Sequence, residues 1–265
     1  MSPNVDSPVI SDLKAAAQAG VLLLATDFDG TVAPFMDDPS AVRPLPGAVE
    51  ALAEAAALPG TTAALVSGRD LRTLASLSGA PESVQLIGSH GAESTNTGLT
   101  GTDTLTPQHR EKLDQLAEVL TELQEEHPEA RIERKAAAVV WHTRGMEPAK
   151  SARAMADAAE AASQRCGIEP MLGKNVVECA VLDASKGRAL RALADALGAD
   201  AVVYLGDDVT DETVFTEFAG TPGALMIKVG PGQTAATIRL VGPEDAVATL
   251  EAIVQQRREV ATRHA

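Results

Sequence analysis

The chain has 265 residues and a formal net charge of −15. Such a field repels nucleic-acid phosphates and anionic lipid, which excludes both as expected partners. It repels a phosphorylated ligand too, so a phosphate site here needs local cations. Hydrophobic residues make up 45% of the chain and aromatics only 2%, so the core must be built from Ala, Val and Leu, which suits helices packed on a parallel sheet.

Residues 1–20 read as a polar leader with a short helix. VLLLAT (21–26) is a continuous apolar run, the pattern of a strand covered on both faces. It is too short to span a bilayer, and it lies too far in, with no basic region before it, to be a secretory signal. TAALVS (62–67) and VQLIGS (84–89) are the next buried strands, with helical stretches PGAVEALAEAAAL and RDLRTLASL between. This alternation marks a parallel sheet with helices on both faces. The pattern then changes. Thr106-Pro107 opens a helix, Thr as cap and Pro at the first helical position, running to about His127. RIERKAAAVVWHTR is a strand pair, a second long helix follows Pro148, and MLGKNVVECAV is a hairpin around Gly173. We expect an inserted α+β cap domain over 108–182. The core then resumes over 183–265 with a helix from Lys186, strands AVVYL and LMIKV, IRLV and a charged C-terminal helix, completing a core that begins at 1–107. Cys166 and Cys179 form no metal-ligand pattern and read as two reduced thiols of a cytoplasmic protein.

Four short segments carry chemistry. Asp27-Phe28-Asp29-Gly30-Thr31 directly follows a buried strand, and ligands of open α/β sheets sit at the carboxyl ends of strands. Two carboxylates so close in a partly dry site repel each other unless a cation lies between them. Mg2+, a hard ion with oxygen ligands, fits. The ordinary alternative is a strand-end turn. Gly206-Asp207-Asp208-Val209-Thr210-Asp211-Glu212 follows another buried strand; a divalent cation or a solvated helix start would each explain its acids. Ser67-Gly68-Arg69 offers a hydroxyl and backbone N–H groups at a helix start, a phosphate cradle or simply a cap. Lys186 precedes a core helix and gains meaning only from the other three.

In this order and at these element boundaries, DFDGT, the strand ending in Ser67, Lys186 and GDDVTDE resemble the four motifs of the haloacid dehalogenase (HAD) superfamily. The resemblance implies a Rossmann-like HAD core, with Asp27 as the nucleophile that forms an aspartyl-phosphate. Asp29 would protonate the leaving oxygen and then activate water, which asks for a proton affinity above that of its ionised neighbour. Mg2+ would be held by Asp27, the backbone carbonyl of Asp29, and Asp207. Asp211 would orient metal-bound water, and Ser67 and Lys186 would hold phosphoryl oxygens.

Glu133-Arg134-Lys135 with Trp141-His142-Thr143-Arg144, and Gly173-Lys174 with Glu178, are similar to the cap motifs of trehalose-6-phosphate phosphatases. GSHGAE at 88–93 and IKVG at 227–230 are similar to that family as well. Glu133 and Lys135, two apart on a strand, share one face. The resemblance implies that Glu133, Lys135, Arg144, Lys174 and Glu178, with Arg69 and His90 of the core, contact sugar or phosphate. The ordinary alternative for the cap residues is a solvated strand with surface ion pairs. The expected activity is Mg2+-dependent hydrolysis of trehalose 6-phosphate by a cytoplasmic monomer. The alternatives are a related sugar phosphatase, acting on sucrose 6-phosphate or glucosyl-phosphoglycerate, and a non-catalytic partner module. The low aromatic content removes any sugar-stacking platform except Trp141, which is expected to be buried.

Overall fold

A computed structural model describes residues 7–96, 105–182 and 184–264. Residues 1–6 of the expected leader, and residue 183 at the expected return to the core, lie outside the described residues. In chain order the elements are α1 (Ser7–Ala17), β1 (Leu22–Asp27), α2 (Ala48–Ala57), β2 (Thr61–Val66), α3 (Leu71–Ser78), β3 (Gln85–Gly88) and β4 (Glu93–Ser94). Then come α4 (Pro107–Gln124), β5 (Arg131–Arg134), β6 (Ala138–His142), α5 (Pro148–Cys166), β7 (Met171–Gly173) and β8 (Val176–Ala180). The last group is α6 (Lys186–Leu197), β9 (Ala201–Gly206), α7 (Glu212–Glu217), β10 (Ala224–Val229), β11 (Ile238–Leu240) and α8 (Pro243–His264). The chain divides into two units, 1–100 with 185–265 and 101–184. This division falls a few residues outside the 107/108 and 182/183 breaks expected from the sequence.

The larger unit is built on a seven-stranded sheet in the order β11-β10-β9-β1-β2-β3-β4. Its strands run parallel except for the β3–β4 pair, a short antiparallel edge. Strand alternation sorts the apolar side chains. Leu22, Leu24, Leu65, Val203 and Ile227 join one core with α2 and α8, while Leu23, Ala25, Val202, Tyr204 and Met226 join another with α6 and α7. Both faces are therefore covered, as the unbroken apolar runs imply. Strand order reverses direction at β1, which lies between β2 and β9. That is the switch point at which open α/β sheets hold ligands, outside the carboxyl ends of the strands. Near the other end of these strands the buried guanidinium of Arg257 on α8 donates to the carbonyls of Ala17, Gly20, Pro59 and Gly60 and to Thr61 Oγ1, tying α8 to two loops.

The smaller unit is an antiparallel sheet in the order β5-β6-β8-β7, with α4 and α5 on one face. Thr106 caps α4 by accepting from His109 N at 3.2 Å, and Pro107 occupies its first turn, as the sequence predicts. Ala154, Ala158 and Ala162 recur every four residues along α5 and are fully buried, placing a smooth ridge in the core. Val139, Trp141, Val177 and Cys179 fill that core from the sheet. Trp141 is fully buried, as expected, and meets the ring of His127 edge-on. The chain turns between β7 and β8 at Lys174-Asn175, just beyond the expected Gly173.

Candidate active site

Register places the chemistry. Asp27 ends β1 and pairs with Val66, so Ser67 follows at the adjacent strand tip. β9 ends at Gly206, delivering Asp207 on the other side of β1. Carboxylate oxygens of Asp27, Asp207 and Asp211 all lie within 4.8 Å of one another. Lys186, first residue of α6, reaches into this group: its Nζ donates to Asp27 Oδ1 at 2.8 Å and to Asp211 Oδ1 at 2.9 Å. Lys186, Asp27 and Asp211 are all buried.

Burial pushes the Asp27 carboxyl well above the usual aspartate range; Lys186 pulls it back, while Asp211 and Asp207 push it further up. Burial alone would lower Lys186, but the charges of Asp27 and Asp211 outweigh it and raise the ammonium, which stays protonated. Asp207 is also raised, chiefly by burial, against a hydrogen bond from Thr31 Oγ1 at 2.9 Å. Three carboxylates thus face one ammonium in a largely dry space, and hard oxygen donors carrying surplus negative charge are the donor set that suits Mg2+. The residues present fit that ion.

Asp211 is the most committed member. Its Oδ1 accepts from Lys186 and from Tyr204 OH at 2.6 Å, and its Oδ2 accepts from the N–H groups of Asp207 at 2.8 Å and Asp208 at 3.0 Å. Asp211 therefore shapes the loop that presents Asp207. A Cβ on Gly206 would fall 2.3 Å from the Asp211 carboxyl carbon, so only glycine lets this carboxylate fold back against the end of β9. Buried Lys228 adds a second support, donating to the carbonyl oxygens of Asp207 and Val229. Thr31, Tyr204 and Lys228 did not emerge as site residues from the sequence. The signal for Tyr204 is a hydroxyl inside a buried strand, which needs a partner.

Asp29 and Arg69 form a separate pair. Arg69 donates from Nε and Nη2 to the two oxygens of Asp29 at 2.8 and 2.7 Å, a bidentate grip. Both Asp29 carboxylate oxygens are thus engaged by Arg69, while the group of acids that could hold a metal is formed by Asp27, Asp207 and Asp211. For Asp29 to pass a proton to a leaving oxygen, the grip of Arg69 must first open. Ser67 is buried, and its Oγ accepts from Arg69 N at 3.1 Å. His90 lies against Gly68, where a Cβ would come 2.5 Å from its ring. Ser89 and His90 both take left-handed backbone conformations, φ 52° and 55°. Glu93 holds this turn, accepting from Ser89 Oγ at 2.7 Å and from Leu71 N at 3.2 Å.

In the smaller unit Glu133, Lys135, His142 and Glu178 share the sheet face opposite the helices. Lys135 Nζ lies 3.2 Å from Glu178 Oε1, and His142 Nε2 lies 2.8 Å from Glu133 Oε2. His142 is the member that sequence reasoning left out. Arg144 and Lys174 sit in exposed turns.

A trehalose-phosphatase family profile matches residues 25–239. The chain belongs to the trehalose-phosphatase family. A trehalose-phosphate phosphatase of Mycobacterium ulcerans is 34% identical over 232 residues, 82% of this chain and 57% of that protein. The chain thus spans little more than half the length of such mycobacterial relatives. The solved trehalose-6-phosphate phosphatase of Aspergillus fumigatus superposes with a TM-score of 0.72 at 26% identity, covering 96% of this chain and 99% of that one. A haloacid dehalogenase-like hydrolase of Bacteroides thetaiotaomicron shares the fold, at TM-score 0.59 and 16% identity over 89% of this chain and 99% of that one. The larger unit is therefore a Rossmann-like core of the haloacid dehalogenase type, and the motifs read from the sequence lie within the matched span. Among the described residues no helix is long and apolar enough to cross a membrane.

Proposed function

We propose that this protein hydrolyses trehalose 6-phosphate to trehalose and phosphate through an aspartyl-phosphate on Asp27. The observation that carries the reading is the buried Asp27–Lys186–Asp211 cluster at the switch point of the sheet in a chain of this family. Asp27 attacks phosphorus in line and the bond to the sugar oxygen breaks. Asp29, released from Arg69, gives the leaving oxygen its proton, then takes one from the water that cleaves the acyl phosphate. Lys186 and Ser67 hold phosphoryl oxygens, with Arg69 and His90 as further contacts once substrate enters. Asp27, Asp207 and the carbonyl of Asp29 would hold Mg2+, with Asp211 supporting its water, and the ion when bound supplies positive charge against the phosphoryl oxygens. Glu133, Lys135, Arg144, Lys174 and Glu178 bind sugar hydroxyls by charge-assisted hydrogen bonds. The site is expected to serve a cytoplasmic monomer.

The test is phosphate release from trehalose 6-phosphate, sucrose 6-phosphate, glucosyl-phosphoglycerate and glucose 6-phosphate, each with and without Mg2+. Trehalose 6-phosphate with Mg2+ should be fastest and glucose 6-phosphate slow. Equal rates on those two would remove the disaccharide claim. Complete inactivity on every phosphate would favour a partner module, although such a module has no use for a nucleophile, a Lys and an acid trio together.

A further inference from the structure

The chain holds four Phe, one Tyr and one Trp. Five of these six rings are buried: Phe28, Trp141, Tyr204 and Phe215 are fully buried and Phe218 is 1% exposed. The sixth, Phe35, is 71% exposed. A chain this sparing of aromatic surface leaves one ring in water, and its location is specific. Gly30, at φ 78°, lies in the loop leaving β1; a Cβ there would come within 2.7 Å of Phe35 Cε2 and 2.1 Å of Asp207 Oδ2. The exposed ring and a carboxylate of the acid cluster therefore both close in on the side of Gly30 where a side chain would project. Neighbouring Met36 is 54% exposed, and Val209, on the loop that carries Asp207 and Asp208, is 79% exposed. The loops that leave β1 and β9 thus both carry exposed apolar side chains, an apolar border on the segments that hold the acids.

Such a border has no use for phosphate, which asks for cations and N–H donors. It suits the group the phosphate is attached to. A pyranose ring has an apolar face of axial C–H bonds, and an aromatic face covers it while the hydroxyls at its edge remain free for polar groups. Resting on the phosphatase reading above, we propose that Phe35 is a stacking platform for the sugar ring that carries the phosphate, and so a specificity residue for sugar over non-sugar phosphate esters. Trp141 is buried, as the sequence leads one to expect, and Phe35 is the exposed ring that remains for such a platform.

The test compares wild type, Phe35→Ala and Phe35→Tyr on trehalose 6-phosphate and on acetyl phosphate, which has no ring to stack, with free trehalose as a competing product. In Phe35→Ala the ratio of kcat/KM for trehalose 6-phosphate to that for acetyl phosphate should fall about fivefold, and inhibition by trehalose should weaken by a similar factor. Phe35→Tyr should keep both near wild type. An unchanged ratio in Phe35→Ala would overturn the proposal. So would an equal loss on both substrates, or a Tyr variant no better than Ala, since either marks a structural role. A wild-type enzyme that cleaves acetyl phosphate but no sugar phosphate would overturn the functional reading itself, and is told apart before any variant is made.

Discussion

The two units keep their polar residues in opposite ways. In the larger one, Asp27, Lys186 and Asp211 are 3%, 2% and 0% exposed, and Asp211 alone receives four donors. In the smaller one, Lys135 and Glu178 pair with side chains 45% and 33% exposed, and His142 and Glu133 pair at 23% and 51%. Buried charges are costly to leave unpaired and strong when complemented, so the first arrangement is rigid and fixed before any substrate arrives. Exposed pairs are screened by water and contribute little to stability, so the second is free to exchange its internal partners for ligand hydroxyls. Chemistry is proposed where reorganisation is prevented, and recognition where it is easy.

The largest effect that would break this contrast is at the proposed nucleophile. Asp27→Asn should lower turnover of trehalose 6-phosphate by at least about a thousandfold while leaving the fold intact by circular dichroism. A variant retaining near-normal rates would end the assignment. Next is Lys186→Met, which leaves Asp27 and Asp211 facing each other without their ammonium. A loss of roughly 3–5 kcal/mol is expected in denaturant unfolding. Its counterpart Lys135→Met should change stability by under about 1 kcal/mol and instead raise KM for the sugar phosphate. Equal stability losses at 186 and 135 would erase the difference between the units.

Smaller effects sharpen the picture. Burial pushes the Cys179 thiol up to about 11, and Cys166 nearby adds to the shift. At pH 8 only about one Cys179 in a thousand is thiolate. Native protein should therefore react with a disulfide reagent far more slowly than unfolded protein, and rapid modification would show that the core beneath the polar face is open. Another modest effect is at a helix cap. Asp70 accepts from Thr73 N and Oγ1 at the start of α3, and these bonds hold its carboxyl below the usual range. A depressed folded pKa stabilises above the unfolded value and is lost as pH falls through the folded one. Asp70→Ala should thus cost about 1 kcal/mol at pH 7 and progressively less below the ordinary aspartate range, read from melts across pH.

Whatever depends on neighbours along the chain was legible in the sequence. Strands with both faces covered, the Thr106-Pro107 helix start, and the positions of Asp27, Ser67, Lys186 and Asp207 at element ends all follow from local pattern. The pairing of Lys135 with Glu178 needed the antiparallel register of β6 and β8 to bring residues 43 apart together. The grip of Arg69 on Asp29 was illegible for the same reason, being a contact across 40 residues between two strand tips. Tyr204 looked like an ordinary core aromatic until Asp211 was seen to fold back onto it. Phe35 was hidden by composition: in a chain with so few aromatics, each is expected inside, and only solvent exposure distinguishes the one that is not.

The most direct test follows the phosphoryl group. Protein mixed with trehalose 6-phosphate and Mg2+, quenched in milliseconds and reduced with borohydride, should yield a peptide in which residue 27 has become homoserine, the reduction product of an aspartyl-phosphate. Homoserine at another aspartate, or steady turnover with residue 27 unmodified at every quench time, would contradict the account.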